Sequence, residues 1–374
     1  MVSVCNSLNC TGCGACINIC PQKCLEFYQS DEGFYYPSVN TIECIDCGLC
    51  KKTCPEISKI EKRQSRKTYA AFSKDKEIRE RSSSGGLFSV LASYVIRNGG
   101  VVYGASFDNN LKLSHIKAET LEELSLLRGS KYVQSVIVDV YKEIKNYIDK
   151  SRLVLFAGTP CQVAGILSYI KKNKNYLVTI DVICHGVPSP KAFEAYLHKL
   201  TFAKPDSFVF RDYKHWGYAL SLVVNGKVES LREEKNVYLN LFLRGELSRE
   251  SCYRCQYARN ERISDITLGD FWGIGKDYSY VEDTSSGVNL VLLNTKKGEE
   301  LFMAISNEVQ FESRNFSEAS KYNSQLNNPP SRPANRDNIY KVFYTLSLKE
   351  LYFMNLPFTR KVKYYLKNIL NFKF

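Results

Sequence analysis

The residues best suited to chemistry are cysteines, in a spacing that occurs twice near the N-terminus. Cys10-x2-Cys13-x2-Cys16-x3-Cys20-Pro21 is followed by Cys44-x2-Cys47-x2-Cys50-x3-Cys54-Pro55. This spacing grips pairs of 4Fe–4S clusters: three thiolates on one tight loop take three corners of a cube, and the fourth, before proline, crosses to the other cube. It assigns Cys10, Cys13, Cys16 and Cys54 to one cluster and Cys44, Cys47, Cys50 and Cys20 to the second. A zinc site needs only four thiolates, commonly as two separated Cys-x-x-Cys pairs, and the doubled run of eight exceeds that. A disulfide framework belongs to secreted chains, and Met1–Asn9 shows no basic segment followed by an apolar run. Gly12, Gly14 and Gly48 suit backbone drawn close around inorganic sulfur. Cys5 and Cys24 lie outside both motifs and read as buried spectators, since a free cysteine often serves as a small apolar side chain.

Four further cysteines form a second set. Leu155-Phe-Ala-Gly-Thr-Pro-Cys161-Gln ends an apolar run and opens a helix, where the helix N-terminus favours a thiolate. Asp181-Val-Ile-Cys184-His-Gly also ends an apolar run, and Gly186 and Pro188 turn the chain away. Cys252-Tyr-Arg-Cys255 adds a Cys-x-x-Cys pair. Neighbouring parallel strands would bring the first two strand ends together, the usual place for a site in such a sheet. Four thiolates from three loops suit either a third 4Fe–4S cluster or a structural zinc; the Cys252/Cys255 pair alone suits a redox dithiol. The upstream dicluster module favours the cluster, because a ferredoxin-type module needs an electron partner nearby.

Other residues are candidates for holding a cofactor. The turn Ser82-Ser83-Ser84-Gly85-Gly86 precedes a helix, so its amides and the helix N-terminus favour a phosphate; the alternative is a plain serine N-cap. It is neither a Walker loop nor Gly-x-Gly-x-x-Gly. Arg128, Lys131 and Gln134 form a polar turn suited to a phosphate or a flavin edge, or simply a basic turn. Asp265–Gly273 mixes acids, aromatics and glycines, suited to walling a planar cofactor or to a strand and tight turn. His185 and His215 are candidate proton donors, since imidazole titrates near neutrality. No Ser-His-Asp order or zincin motif is present.

Residues 1–58 form the ferredoxin-type module, and the charged stretch Ser58–Lys67 reads as a linker. Beyond it, strand and helix signals alternate. Strands are expected at Thr68–Phe72, Val101–Phe107, Leu153–Ala157 and Leu177–Ile183. Helices are expected at Leu87–Arg97, Leu121–Leu127, Val136–Asp149, Cys161–Lys172 and Lys191–Leu200. That alternation predicts an α/β domain with a largely parallel sheet over residues 68–330, turning mixed after Phe208. Pro329, Pro330 and Pro333 introduce a C-terminal tail, 331–374, expected to be basic and helical.

The chain has 374 residues, 44% of them hydrophobic, so it can bury a large core. Its net charge of +12 is uneven: 331–374 holds nine Lys or Arg against Asp337 and Glu350, which is +7. Such a tail suits peripheral contact with an anionic membrane, docking on an acidic partner, or an ordinary helix with a solvated face. Nucleic acid is not expected as a partner, because only the charge favours it. No apolar run reaches the roughly 18 residues of a membrane span, and a cytoplasmic location is expected.

The order Ser84-Gly85-Gly86, Gly158-Thr-Pro-Cys161-Gln, Cys184-His-Gly186, Cys252-x-x-Cys255 and Ser264-Asp-Ile-Thr-Leu-Gly-Asp270-Phe-Trp-Gly resembles the coenzyme F420 hydrogenase/dehydrogenase beta-subunit family. The resemblance covers about residues 68–330. It implies an iron–sulfur flavoprotein oxidoreductase that binds FAD and passes electrons between clusters and a two-electron acceptor, a deazaflavin in the archaeal enzymes. Relatives act on other substrates, and some bacterial members occur beside polysaccharide-synthesis enzymes. It implies that Cys161, Cys184, Cys252 and Cys255 ligate a cluster next to FAD, with Ser84, Gly85, Gly86 and Lys131 as flavin contacts. It does not fix the acceptor. The alternative is an electron-transfer accessory subunit whose substrate site lies on a partner in a larger redox complex.

Overall fold

The structure, a computed structural model, describes residues 4–211, 216–280, 282–357 and 359–361. His215 and most of the extreme C-terminus, 362–374, lie outside the described residues.

The N-terminal module shows how the cysteine spacing becomes geometry. Short helices Ala15–Ile19 and Leu49–Thr53 each start after a left-handed glycine, Gly14 at φ +79° and Gly48 at φ +68°. Each stops at a cysteine held extended, Cys20 at ψ 115° and Cys54 at ψ 117°. The following proline enforces this, because its ring clashes with a helical residue before it. The two helices pack together beside an antiparallel hairpin of β1 (Leu25–Gln29) and β2 (Tyr35–Val39).

The larger part is built on an eight-stranded sheet. Its strands are β3 (Lys67–Ser73), β4 (Val101–Phe107), β5 (Leu113–Ala118), β6 (Val154–Gly158), β7 (Leu177–Val182), β11 (Ile266–Asp270), β12 (Asn289–Leu293) and β13 (Val309–Ser313), in the order β13-β3-β12-β11-β7-β6-β4-β5. A small antiparallel sheet of β8 (Ser207–Val209), β9 (Leu220–Val224) and β10 (Lys227–Leu231) follows the fifth of these along the chain. The centre, β4-β6-β7-β11, is parallel, while the pairings of β5, β12, β3 and β13 are antiparallel. The expectation of a largely parallel sheet is therefore corrected to a mixed one. Helix Leu87–Arg97 buries seven residues, and Leu91, Val95 and Leu87 join the core over β4, β6 and β12.

Two expected boundaries dissolve into the fold. The linker is stitched to the large domain: Arg63 and Arg262 exchange backbone hydrogen bonds of 2.8 and 2.7 Å, and Arg66 N donates to Leu293 O at 2.7 Å. The start of the C-terminal segment is not a free tail. Helices Arg336–Phe343 and Leu348–Met354 send Ile339, Tyr340, Phe343, Leu348 and Leu351 into the same core as Phe193, Phe210 and Phe242. Arg336, 1% exposed, pairs through both Nη atoms with Glu32 of the module at 2.8 and 2.7 Å, and with Glu250 at 3.0 Å. A spacing of basic residues cannot reveal that one of them is buried between two acids.

Candidate functional site

The carboxyl ends of β6, β7 and β11 open onto a cavity of about 310 Å³. This is where the strand ends of an open parallel sheet leave room for a ligand, and the volume lies within the range of small-molecule sites. Its walls come from both domains: Thr11 and Gly12 of the first cysteine loop reach it, as do Ser84, Gly86, Arg128, Lys131 and Gln134. Cys161, Cys184 and His185 lie on the same wall.

The serine-glycine turn meets the helix as expected, with one difference. Gly86, at φ +85°, begins helix Leu87–Arg97, whose first turn faces the cavity. Ser84 is 8% exposed, and its Oγ has no hydrogen-bond partner. A buried hydroxyl left unpaired costs about 1–3 kcal/mol, so a ligand atom there would recover it. Gly85 does not line the cavity. A Cβ on it would lie 2.6 Å from Ala71 O and 2.8 Å from Asn289 N, so this glycine lets the turn approach β3 and β12. Ser83 Oγ accepts from Ser130 N at 2.8 Å, tying this turn to the Arg128–Gln134 turn.

That second turn is more internally bonded than its charges suggest. Lys131 Nζ donates to the carbonyls of Leu127, Arg128 and Gly129 at 3.3, 2.9 and 3.1 Å, and burial lowers its pKa to about 7. Arg128 Nε donates to Ser89 Oγ at 3.0 Å. Gln134 faces the module: its Oε1 accepts from Arg249 Nη1 at 3.2 Å and from Tyr35 N at 3.4 Å.

The second cysteine set converges where the strand ends meet. Thr159 opens helix Pro160–Tyr169, its N bonded to Gln162 Oε1 at 3.0 Å, and its hydroxyl lies 3.1 Å from Cys161 Sγ. Cys184 Sγ accepts from Gly186 N at 3.4 Å, and a Cβ on Gly186 would stand 3.5 Å from Cys252 Cβ. Burial, then repulsion from neighbouring thiols, raises Cys184 to about 12, Cys252 to about 11 and Cys161 in the same direction, and burial raises Cys255. Crowded, desolvated thiols resist ionising, and a metal centre reverses this by deprotonating them outright. Arg262, paired with Asp181 at 3.0 Å, adds favourable charge near Cys184 and Cys255.

The module docks its first cysteine loop against this set. Cys13 Sγ would stand only 3.3 Å from a Cβ on Gly165, one turn along from Cys161, so glycine permits the contact. Tyr141 Oη donates to Cys13 O and Gln162 O, both at 2.9 Å. Buried Arg249 donates through Nε to Cys10 O at 2.6 Å. Cys10, Cys13, Cys16 and Cys54 line one small cavity. Cys20 sits with the second repeat: its Sγ is 3.4 Å from Cys24 Sγ, and Cys24 in turn contacts Cys44. Among the described residues no three His, Cys, Asp or Glu converge on one ion. Thiols gripping separate corners of a cube do not meet at a point.

Several wall residues escaped the sequence reading. His115 lines the cavity, held by Ser135 Oγ at 2.7 Å and Ala157 O at 3.0 Å, and burial lowers its pKa to about 4. Arg211 forms a bidentate pair with Asp270 at 2.5 and 3.1 Å, and Asp270 Oδ1 also accepts from Trp216 Nε1 at 2.7 Å. Trp216 stacks on Trp272 at 5.1 Å, with Tyr218 alongside at 5.9 Å. The expected Asp265–Gly273 stretch supplies Asp270 and Trp272 of this wall, and the dense run of aromatic and cationic residues over 208–218 was the further signal; His115 carried none. Burial lowers the pKa of His185, so its imidazole is neutral at pH 7.

Family comparisons bear on this geometry. Models described as the N-terminal and C-terminal parts of the coenzyme F420 hydrogenase/dehydrogenase beta chain match residues 68–142 and 151–319, and a 4Fe-4S dicluster domain model matches residues 9–57. The chain belongs to the coenzyme F420 hydrogenase/dehydrogenase beta-subunit family. It carries the iron–sulfur dicluster domain of an electron-transfer protein within that oxidoreductase family. One solved structure, described as "Xenon derivatization of the F420-reducing [NiFe] hydrogenase complex from Methanosarcina barkeri", aligns at 18% identity and a TM-score of 0.48, covering 77% of this chain and 91% of that one. No curated protein matches. No helix among the described residues is long and apolar enough to cross a membrane.

Proposed function

We propose that this family member is an iron–sulfur flavoprotein oxidoreductase passing electrons between three 4Fe–4S clusters, FAD and an organic two-electron acceptor. The acceptor is a coenzyme F420-like deazaflavin or a biosynthetic intermediate. The observation that carries the reading is the meeting of Cys161 and Cys184 with the Ser84 turn on the wall of one cavity. Cys10, Cys13, Cys16 and Cys54 hold an inner cluster; Cys20, Cys44, Cys47 and Cys50 hold an outer one. Cys161, Cys184, Cys252 and Cys255 hold the third.

FAD, when bound, supplies the conversion between single electrons and hydride. The chain's residues supply position and field. Ser84 Oγ and the start of helix Leu87–Arg97 offer donors and positive potential to a pyrophosphate. Arg128 and Lys131, on the same cavity wall, would hold its phosphates, and Gln134 ties that wall to the cysteine module. His185, its pKa lowered by burial, would offer a hydrogen bond into the cavity. The Trp272 and Tyr218 rings provide a stacking face for the acceptor. Gly186 N and Thr159 direct hydrogen-bonding groups at the thiols of the third cluster, which tunes its potential.

Single electrons enter from a donor protein at the outer repeat, where Cys47 is exposed beside Ile42 and Ile45, 95% and 60% exposed. Anaerobic quantitation of iron, sulfide and flavin tests the reading, with Cys161→Ser in parallel. The expected result is about twelve irons and one FAD per chain, falling to about eight irons in the variant. About eight irons with one zinc and no flavin in the unaltered protein would overturn it.

A further inference from the structure

The small cavity at the inner repeat is lined by five thiols, not four. Cys5 stands there with Cys10, Cys13, Cys16 and Cys54. Its place is built: Val4 beside it is buried, and Asn6 O accepts from Asn9 N at 3.0 Å and Cys10 N at 2.9 Å, tying its strand to the cysteine loop. The outer site repeats the arrangement, with Cys24 against Cys20 at 3.4 Å and against Cys44. Cys5 is therefore no apolar spectator. A spectator would be surrounded by carbon, whereas this thiol faces the ring of sulfurs.

We propose that Cys5 is an exchangeable fifth ligand of the inner cluster, able to take the corner held by Cys54. The inference rests on the inner-cluster assignment above. Cys10, Cys13 and Cys16 share one tight loop, while Cys54 arrives from the other motif and is the ligand most readily parted from its iron. In the exchange the iron–sulfur bond to Cys54 breaks and one to Cys5 forms. The Cys5 thiol gives up its proton and the released Cys54 thiolate takes one, so charge and electron count are unchanged. The consequence is a first motif with four thiols of its own, able to close a cube before or without the second motif.

The test is iron and sulfide content of Cys5→Ala, Cys54→Ala and the double variant, purified without oxygen. Each single variant should keep the parent's iron count, and the double should lose about four irons. Loss of four irons in Cys54→Ala alone overturns the proposal. Cys13→Ala separates the two readings: the exchange lets Cys5 replace Cys54 alone, so this variant must lose about four irons. If it does not, the cluster assignment fails, not the exchange. Should Cys54→Ala fail to fold, ferricyanide oxidation of the unaltered protein and Cys5→Ala decides. The Cys5→Ala protein should build the electron paramagnetic resonance signal of a three-iron cluster severalfold faster, and equal rates would overturn the exchange.

Discussion

At the scale of single residues, His115 shows what the site demands of its walls. Its Nε2 faces the Ala157 carbonyl at 3.0 Å, so that nitrogen carries the proton and Nδ1 accepts from Ser135. A second proton would have to enter a desolvated wall with no acid against the ring. The folded pKa is therefore depressed, from the ordinary 6.5 to about 4. The unfolded chain binds the proton first, so stability is fully present above about pH 6.5 and is lost progressively as pH falls toward 4. The loss approaches roughly 3 kcal/mol by the lower end. Urea unfolding of His115→Gln under anaerobic conditions should show that pH slope reduced; an unchanged slope would place its origin in other groups.

At the scale of elements, the C-terminal helices act as a strap across both domains. Ile339, Tyr340, Phe343, Leu348 and Leu351 are all buried. At about 1.5–3 kcal/mol each, their removal costs roughly 7–15 kcal/mol, as much as a whole domain's stability. It would also leave Glu32 facing no guanidinium. A chain ending after Pro330 should be insoluble or unfolded by circular dichroism, while one ending after Pro357 should match the full chain. Equal behaviour of the two would refute the strap. This element was the least legible in the sequence, because its basic residues advertise a solvated surface while its apolar residues carry the structure. The parallel strands were legible: Leu153–Ala157 is a continuous apolar run and Leu177–Ile183 a mostly apolar, β-branched one, and they appear as β6 and β7. The antiparallel β5 was not, since Leu113–Ala118 carries serine, histidine and lysine, and its polar His115 is buried by tertiary bonds that no local pattern encodes. At the site, cysteine spacing was legible because four-iron geometry dictates it, whereas Arg211, Trp216 and Arg249 work through partners far away in sequence.

At the scale of the whole molecule, the three thiol sets neighbour one another. Cys50 influences Cys16, and Cys161 influences Cys13, so each set lies within electrostatic reach of the next. The outer repeat is the more open of the two in the module: Cys47 is exposed and Cys44 and Cys50 half-buried, while Cys10 and Cys13 are buried. Oxidant reaching the clusters from solvent should therefore destroy the outer one first. Limited ferricyanide treatment should release about four irons as a first phase while the remaining iron and sulfide persist; simultaneous loss of all iron would contradict that difference in exposure. The sheet carries a different consequence, for synthesis on the ribosome. β3 leaves the ribosome early, yet both its edges are covered by β12 and β13, which are made more than half the chain later. A nascent chain must therefore carry an open strand beside a finished dicluster module, an invitation to pairing between chains. Chaperones that shelter polypeptides during translation would govern the yield of this protein more than any step after release.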